Sequence, residues 1–415
     1  MTRQTEVNLD QQQDIDDLIQ HYRSTYGVTP TEETRGLPNE AFVSQTYYEA
    51  EQKRLFARSW VFAGTLSDVP EKGDIKSVSV GGRTLIIVRD QNNDVHVYYN
   101  VCRHRGAQLV AGELKGRRTI TCPYHRWTYD LAGELRVRPH FEGHTNHGNI
   151  EKKDRQKFGL LPVRFATWHD WIFVNLDGKA LDFDAFIEPI RSRYSGYPLE
   201  NCHRGNVAYF EFQSNFKLAL DNWADNYHLF AVHPALDQTM ANEDRKSLEN
   251  VGPHAFCRYG FIGDSDTGIE PTSGGVALPR AEGMSEAYQR SGGLGTIFPN
   301  IGLFASPTCF LFINIRPLAV DKCQMEVHFY YGSKEAAVGD QYTEARQALE
   351  AQWANLNEED MTICHRSQVG RSCDDFDGGQ FAPFWDLAQI NLHRQWADAM
   401  VGEGLFAAVD QQVGA

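Results

Sequence analysis

The sequence predicts an α+β chain. A small antiparallel β-domain comes first, and a larger domain follows in which helices flank an antiparallel sheet. Three observations carry this. Apolar residues alternate with period two from Lys72 to Asn100, broken by glycine and asparagine turns. Beyond Pro189 the pattern changes to longer strands mixed with helical stretches. The chain has 415 residues, more than one ordinary core accommodates.

Residues 1–55 read as a polar arm that packs on the rest, with a helix from Asp14 to Tyr26 and another from Thr46 to Ala57. Residues 56–165 form the first domain. Its clearest element is a hairpin, Ile75 to Val80 and Thr84 to Val88, joined by Gly81-Gly82, a pair suited to a tight turn. Val95 to Asn100 adds a strand. Residues 166–415 form the second domain, although Trp168 to Leu176 still reads as a strand. There Val207 to Phe212 is a strand, and Lys217 to Val232 is a helix that Pro234 ends. Residues 235–300 read as a long functional loop. Ile301 to Ile315 and Gln324 to Tyr331 follow as strands, then helices from Tyr342 to Val369 and from Trp385 to Val401.

Composition narrows the function. The formal net charge of −15 argues against a nucleic-acid partner, which requires a basic face. No apolar run is long enough to span a bilayer, and the first residues lack a signal-peptide core, so a cytoplasmic protein is expected. In a reducing compartment the eight cysteines are free thiols or metal ligands.

Two of those cysteines stand in a pattern. Cys102-Arg103-His104 is followed, seventeen residues later, by Cys122-Pro123-Tyr124-His125. Two mixed Cys/His pairs can offer two thiolates to one ion and two imidazoles to another, the ligation of a Rieske [2Fe–2S] cluster. A zinc site also accepts Cys₂His₂, but zinc fingers usually pair like with like.

A second constellation lies in D-N-W-A-D-N-Y-H-L-F-A-V-H, Asp221 to His233. His228 and His233 are candidate ligands for a mononuclear iron that activates O₂, a site built from two histidines and one carboxylate. Five residues of regular helix would set them about 140° apart. The helix must therefore loosen or end between them. Asp225, three residues before His228, shares its helix face and can orient its ring.

C-R-H-R-G…C-P-Y-H-R-W-T-Y-D resembles the cluster motif of the Rieske non-haem iron oxygenases, large (alpha) subunits, and the likeness runs from about Phe56 to the C-terminus. It implies a Rieske β-domain followed by a helix-grip catalytic domain. It implies Cys102 and Cys122 as thiolate ligands of one iron, His104 and His125 as imidazole ligands of the other, and Trp127 packed beside them. In N-E-E-D at 357–360 it implies Asp360 as the third ligand of a mononuclear Fe(II), with Glu358 and Glu359 pointing elsewhere. It gives Asp225 the role of a bridge to His125 of a neighbouring subunit in a homotrimer.

The resemblance also implies a terminal oxygenase that takes electrons from an NAD(P)H-dependent reductase, with a ferredoxin or a small β subunit as optional additions. An aromatic substrate, carboxylated or not, is favoured over a quaternary amine, because amine-oxidising members often carry Glu where this chain has Asp225. Oxidative demethylation or quaternary-amine monooxygenation is the alternative within the family. A Rieske electron carrier or a zinc-stabilised binding protein is the alternative outside it.

Overall fold

The structure is a computed structural model that describes residues 10–23, 34–147, 150–261, 276–289 and 291–402. It has two compact units, one combining Met1–Leu55 with Asp184–Ala415 and the other Phe56–Phe183. The unit boundary therefore falls eighteen residues beyond the expected 165. The reason is pairing: Trp171–Asn175 lies between Val61–Thr65 and Arg164–Trp168 in one antiparallel sheet, so this stretch completes the first unit.

The first unit holds three small sheets. The expected hairpin forms with Ile75 opposite Val88 and Val80 opposite Arg83, and Val95–Tyr99 extends it. A second sheet joins Thr119–Thr121, Thr128–Asp130 and Leu135–Val137. Their apolar faces enclose Ile86, Val88, Val110, Ile120, Tyr129 and Leu135, and Cys102, Cys122 and Trp127 belong to the same core. Burying such side chains contributes on the order of 2 kcal/mol each, so the loops bearing the two cysteines are anchored by packing.

The second unit is built on a seven-stranded antiparallel sheet. In spatial order its strands are His203–Phe212, Lys322–Tyr331, Cys309–Ala319, Ile301–Ala305, Ser291–Ile297, Phe256–Phe261 and Met240–Ser247. Two expectations change here. Ile301 to Ile315 is not one strand; residues 306–308 turn it into a hairpin in which Ala305 faces Phe310. The expected loop 235–300 contributes three strands, while residues 262–275 lie outside the described residues. Glycines hid one of them. Ser-Gly-Gly-Leu-Gly-Thr-Ile has three glycines in its first five residues, where strand-like side chains would mark it, yet a Cβ at Gly295 would sit 2.6 Å from the Tyr194 hydroxyl, so close packing requires glycine.

Phe216–Ala224 packs on this sheet, with Thr343–Gly370 and Leu387–Val401 against it. The N-terminal segment is wired to that helix. Lys217 and Glu51 form a salt bridge of 2.7 Å with both side chains fully buried. Leu37 N–H donates to His393 Nδ1 at 2.9 Å, which leaves His393 Nε2–H to donate to Asp221 Oδ2 at 3.2 Å. Removing one member of the buried Lys217–Glu51 pair would leave an uncompensated charge, a loss of about 3–5 kcal/mol.

His254 sits under the sheet, fully buried. Its Nε2–H donates to Phe186 O at 3.0 Å, and Phe298 N–H donates to its Nδ1 at 3.3 Å. Burial pushes this imidazole down to about 4, against the Phe186 carbonyl, which favours the charged ring. A depressed histidine contributes stability that is complete above its ordinary value and is lost as pH falls towards about 4. Lowering the pH from 7.5 to 5 should therefore remove about 2 kcal/mol through this residue. Thermal unfolding of His254→Gln compared with the parent chain should show a flatter pH dependence over that interval. An unchanged slope would rule the assignment out.

Candidate metal centres

In the first unit, the two Cys/His stretches form two loops of the same design. Cys102 N–H donates to Ala107 O at 2.8 Å, and Gly106 N–H donates to Cys102 O at 3.0 Å. Cys122 N–H donates to Trp127 O at 2.8 Å, and Arg126 N–H donates to Cys122 O at 3.2 Å. The fourth residue after each cysteine is left-handed: Gly106 at φ +73° and Arg126 at φ +59°. Glycine adopts this at no steric cost, whereas an arginine there is strained by about 1 kcal/mol.

The loops bring four ligand-type side chains together. Cys102 and Cys122 are free, buried thiols of one core. The His104 and His125 rings lie 4.7 Å apart, and both Nδ1 atoms are buried without a hydrogen-bond partner among the described residues. An unpaired buried ring nitrogen costs about 1–3 kcal/mol unless something occupies it. Two such atoms, on the two loops that carry the buried thiols, fit the donor set of a mixed-ligand cluster. Trp127 stacks on His104 at 4.9 Å with ring planes 5° apart, as the resemblance implied. The sequence reading missed Tyr129. Its hydroxyl lies 3.3 Å from Cys102 Sγ and accepts from Arg103 N–H at 3.0 Å, so its own proton points to the sulfur. Hydrogen bonds to ligand sulfur tune a cluster's potential.

In the second unit the expected helix Lys217 to Val232 is broken. Its first part ends at Ala224, Asp225 is extended at φ −88°, ψ 126°, and a short helix resumes at Leu229–Val232. The cause is the Asp225 carboxylate, which accepts from Tyr227 N–H at 2.6 Å and His228 N–H at 3.2 Å. A side chain that captures backbone donors in this way competes with the helix ladder. Pro234 does not merely end the helix; it opens a further turn, Pro234–Asp237. These breaks turn His228 and His233 towards each other, with ring centroids 5.1 Å apart.

His228, His233 and Asp360 converge so that one ligand atom of each lies within 4.8 Å of the others. Each ring is aimed by a carboxylate on its other nitrogen. His228 Nδ1–H donates to Asp225 Oδ2 at 3.0 Å, leaving Nε2 without a hydrogen-bond partner, 3.6 Å from Asp360 Oδ1. His233 Nδ1–H donates to Glu359 Oε2 at 2.6 Å, and its Nε2 lies 2.9 Å from Asp360 Oδ1. Glu359 therefore does not point elsewhere, contrary to expectation. Adjacent helix residues diverge by about 100°, and the two nitrogens of one imidazole diverge too, so His233 reaches both carboxylates.

The electrostatics suit a cation. Burial draws His228 down, but Asp225 and Asp360 outweigh it and raise the ring to about 9. Burial would raise Asp360, yet the two histidines hold its carboxyl below the usual range. A pair of imidazoles and a carboxylate, each oriented by a second carboxylate, fits a divalent iron with open positions.

The family model described as "Rieske [2Fe-2S] domain" matches residues 59–148, and that described as "Ring hydroxylating alpha subunit (catalytic domain)" matches residues 199–402. The chain is a Rieske oxygenase alpha subunit. Over 391 residues it is 23% identical to the glycine betaine monooxygenase oxygenase subunit of Pseudomonas aeruginosa, covering 88% of this chain and 89% of that one. Two solved structures share the fold at a TM-score of 0.70. The quaternary ammonium Rieske monooxygenase CntA in complex with L-carnitine is 18% identical and covers 88% of this chain and 96% of its own. Naphthalene 1,2-dioxygenase from Rhodococcus sp. bound to indole is 19% identical and covers 95% and 99%. A Rieske [2Fe–2S] cluster and a mononuclear iron are the cofactors of this Rieske oxygenase.

Beside its triad the Rieske oxygenase has a cavity of about 70 Å³, lined by Trp223, Asn226, Leu294, Phe304, Trp353 and Leu356 with the triad itself. Trp223 and Trp353 lie 6.0 Å apart, and Phe304 meets Trp353 edge-on at 5.1 Å. Gly302 makes room for this wall: a Cβ there would stand 2.5 Å from Trp223 Nε1. Phe304 lines the cavity, whereas Phe298 and Phe310 are core. On the other side Asp225, Asp221, Arg371, Asp386 and His393 line a wider cleft of about 480 Å³.

No described helix is long and apolar enough to cross a membrane.

Proposed function

We propose that this Rieske oxygenase is the terminal oxygenase component for a quaternary-amine substrate, oxygenating a carbon bonded to the nitrogen. The observation that carries the reading is the cavity wall. Two indoles and a phenyl ring stand beside the triad, and the carboxylates of Asp225 and Asp360 line the same cavity with His228 and His233. Indole faces attract a quaternary ammonium by about 0.5–2 kcal/mol each. The relative matching most of the chain is named for glycine betaine, in the same direction. This reverses the aromatic preference drawn from Asp225, whose contacts here are to His228 and two backbone amides.

His228, His233 and Asp360 are assigned to the iron, and Cys102, Cys122, His104 and His125 to the cluster. When bound, these groups supply single electrons and the site of O₂ activation. The chain's own part is to aim the two imidazoles through Asp225 and Glu359 and to wall the substrate off from water. Electrons are taken from a reductase that oxidises NAD(P)H. Asp225, whose side chain is 22% exposed at the mouth of the wide cleft, remains reachable by His125 of the partner subunit in a homotrimer.

Incubation with a reductase, NADH and labelled O₂ tests this over glycine betaine, carnitine, choline, benzoate and naphthalene. NADH-dependent consumption of one of the ammonium compounds is expected. Labelled product from an aromatic compound alone would overturn it. Aromatic hydroxylation is the second reading, since the same indole and phenyl walls stack a flat ring.

A further inference from the structure

Asn226 stands out on the wall of the small cavity. It is 1% exposed, and no nitrogen or oxygen among the described residues pairs with either polar atom of its amide. The amide nitrogen is turned only to the Cys257 sulfur, a weak acceptor whose own proton goes to Ala224 O at 3.5 Å. A buried carboxamide left this way costs about 1–3 kcal/mol per polar atom. Its neighbours Asp225 and His228 are committed to each other. The cavity it lines is the one that holds Trp223, Trp353 and the metal triad.

We propose that Asn226 is a substrate-orienting residue whose carboxamide hydrogen-bonds an oxygen group, hydroxyl or carbonyl, carried by the substrate a short distance from its cationic head. The inference rests on the quaternary-amine reading for the nature of that head. The aromatic side chains hold the cation by its methyl surface, which fixes distance but not rotation. One directional contact on the opposite part of the molecule fixes which carbon faces the triad. A site that hydrogen-bonds a substrate oxygen discriminates against the analogue lacking it more strongly than an apolar pocket can, because the buried amide is then left unpaired.

The test is binding to the purified, metal-loaded protein, followed by calorimetry, with choline and n-propyltrimethylammonium as a hydroxyl/methyl pair. The parent chain should bind choline more tightly by about tenfold or more. In Asn226→Ala that ratio should fall to about 1, with the propyl compound changed by less than about threefold, and Asn226→Ser should restore part of it. The cluster's visible spectrum and the unfolding temperature report whether each variant is folded. An unchanged ratio in folded Asn226→Ala overturns the assignment. If neither ammonium compound binds the parent chain, the quaternary-amine reading fails. The aromatic pair benzyl alcohol and ethylbenzene then decides on Asn226 by the same ratio, and the absence of any hydroxyl preference in that pair also overturns the assignment.

Discussion

His233→Ala is expected to empty the mononuclear site while leaving the cluster in place. His233 is 3% exposed and stands between Glu359 and Asp360, so its loss removes one ligand and releases two carboxylates from their common partner. Two remaining ligands do not retain a divalent iron against water, and turnover should fall by at least about a thousandfold. Cys102, His104, Cys122 and His125 lie in the other unit and are untouched. The visible absorption and the reduced-state EPR signal of the cluster should therefore persist at parent intensity, while metal analysis shows one iron fewer. Full iron content would sink the assignment. Glu359→Gln gives a graded comparison. It keeps a hydrogen-bond acceptor for His233 Nδ1–H but removes the charge, and about a 10–100-fold loss of iron affinity or activity is expected.

Asp225→Asn should have the opposite signature, with both metals retained and electron flow lost. The amide oxygen can still accept one of the two backbone protons that break the helix, that of Tyr227 or that of His228, so the turn should largely survive. What is lost is the charge that faces His228 Nδ1 and the open cleft. With a reduced cluster, substrate and O₂, reoxidation of the cluster should slow by about a hundredfold or more. A variant that lost iron would show that Asp225 holds the site together without bridging subunits. A variant at full rate would remove Asp225 from the path altogether.

Much of the site could be read from the chain because its parts are local. Cys102 with His104 and Cys122 with His125 each sit within four residues, and the loop that presents them closes on itself through backbone hydrogen bonds. The hairpin from Ile75 to Val88 was equally legible, since a two-glycine turn and period-two alternation fix both pairing and register. Helix geometry required the regular helix to give way near the two histidines. It did not place the breaks, which fall at Asp225 and at His233, on either side of an intact turn Leu229–Val232, because the Asp225 carboxylate could as well have faced solvent. The strand Ser291–Ile297 was missed because glycine replaced the side chains that mark a strand, and Gly295 there answers to Tyr194, a residue far away in sequence.

The sequence by itself determined the family and, with it, the kind of cofactors, since residue types and short spacings are written along the chain. Only the tertiary structure decided that Glu359 aims His233, that Tyr129 reaches the Cys102 sulfur, and that Trp223, Phe304 and Trp353 share one wall with Asn226. Those side chains come from separate elements, and whether they meet depends on how a helix seats on a sheet. A shift of about 100° in that seating would turn each to another face. Trp223 and Asn226 stand in the same short motif as Asp225, yet nothing in that motif says that they share a cavity with Phe304 and Trp353, the meeting on which the proposed substrate contacts rest.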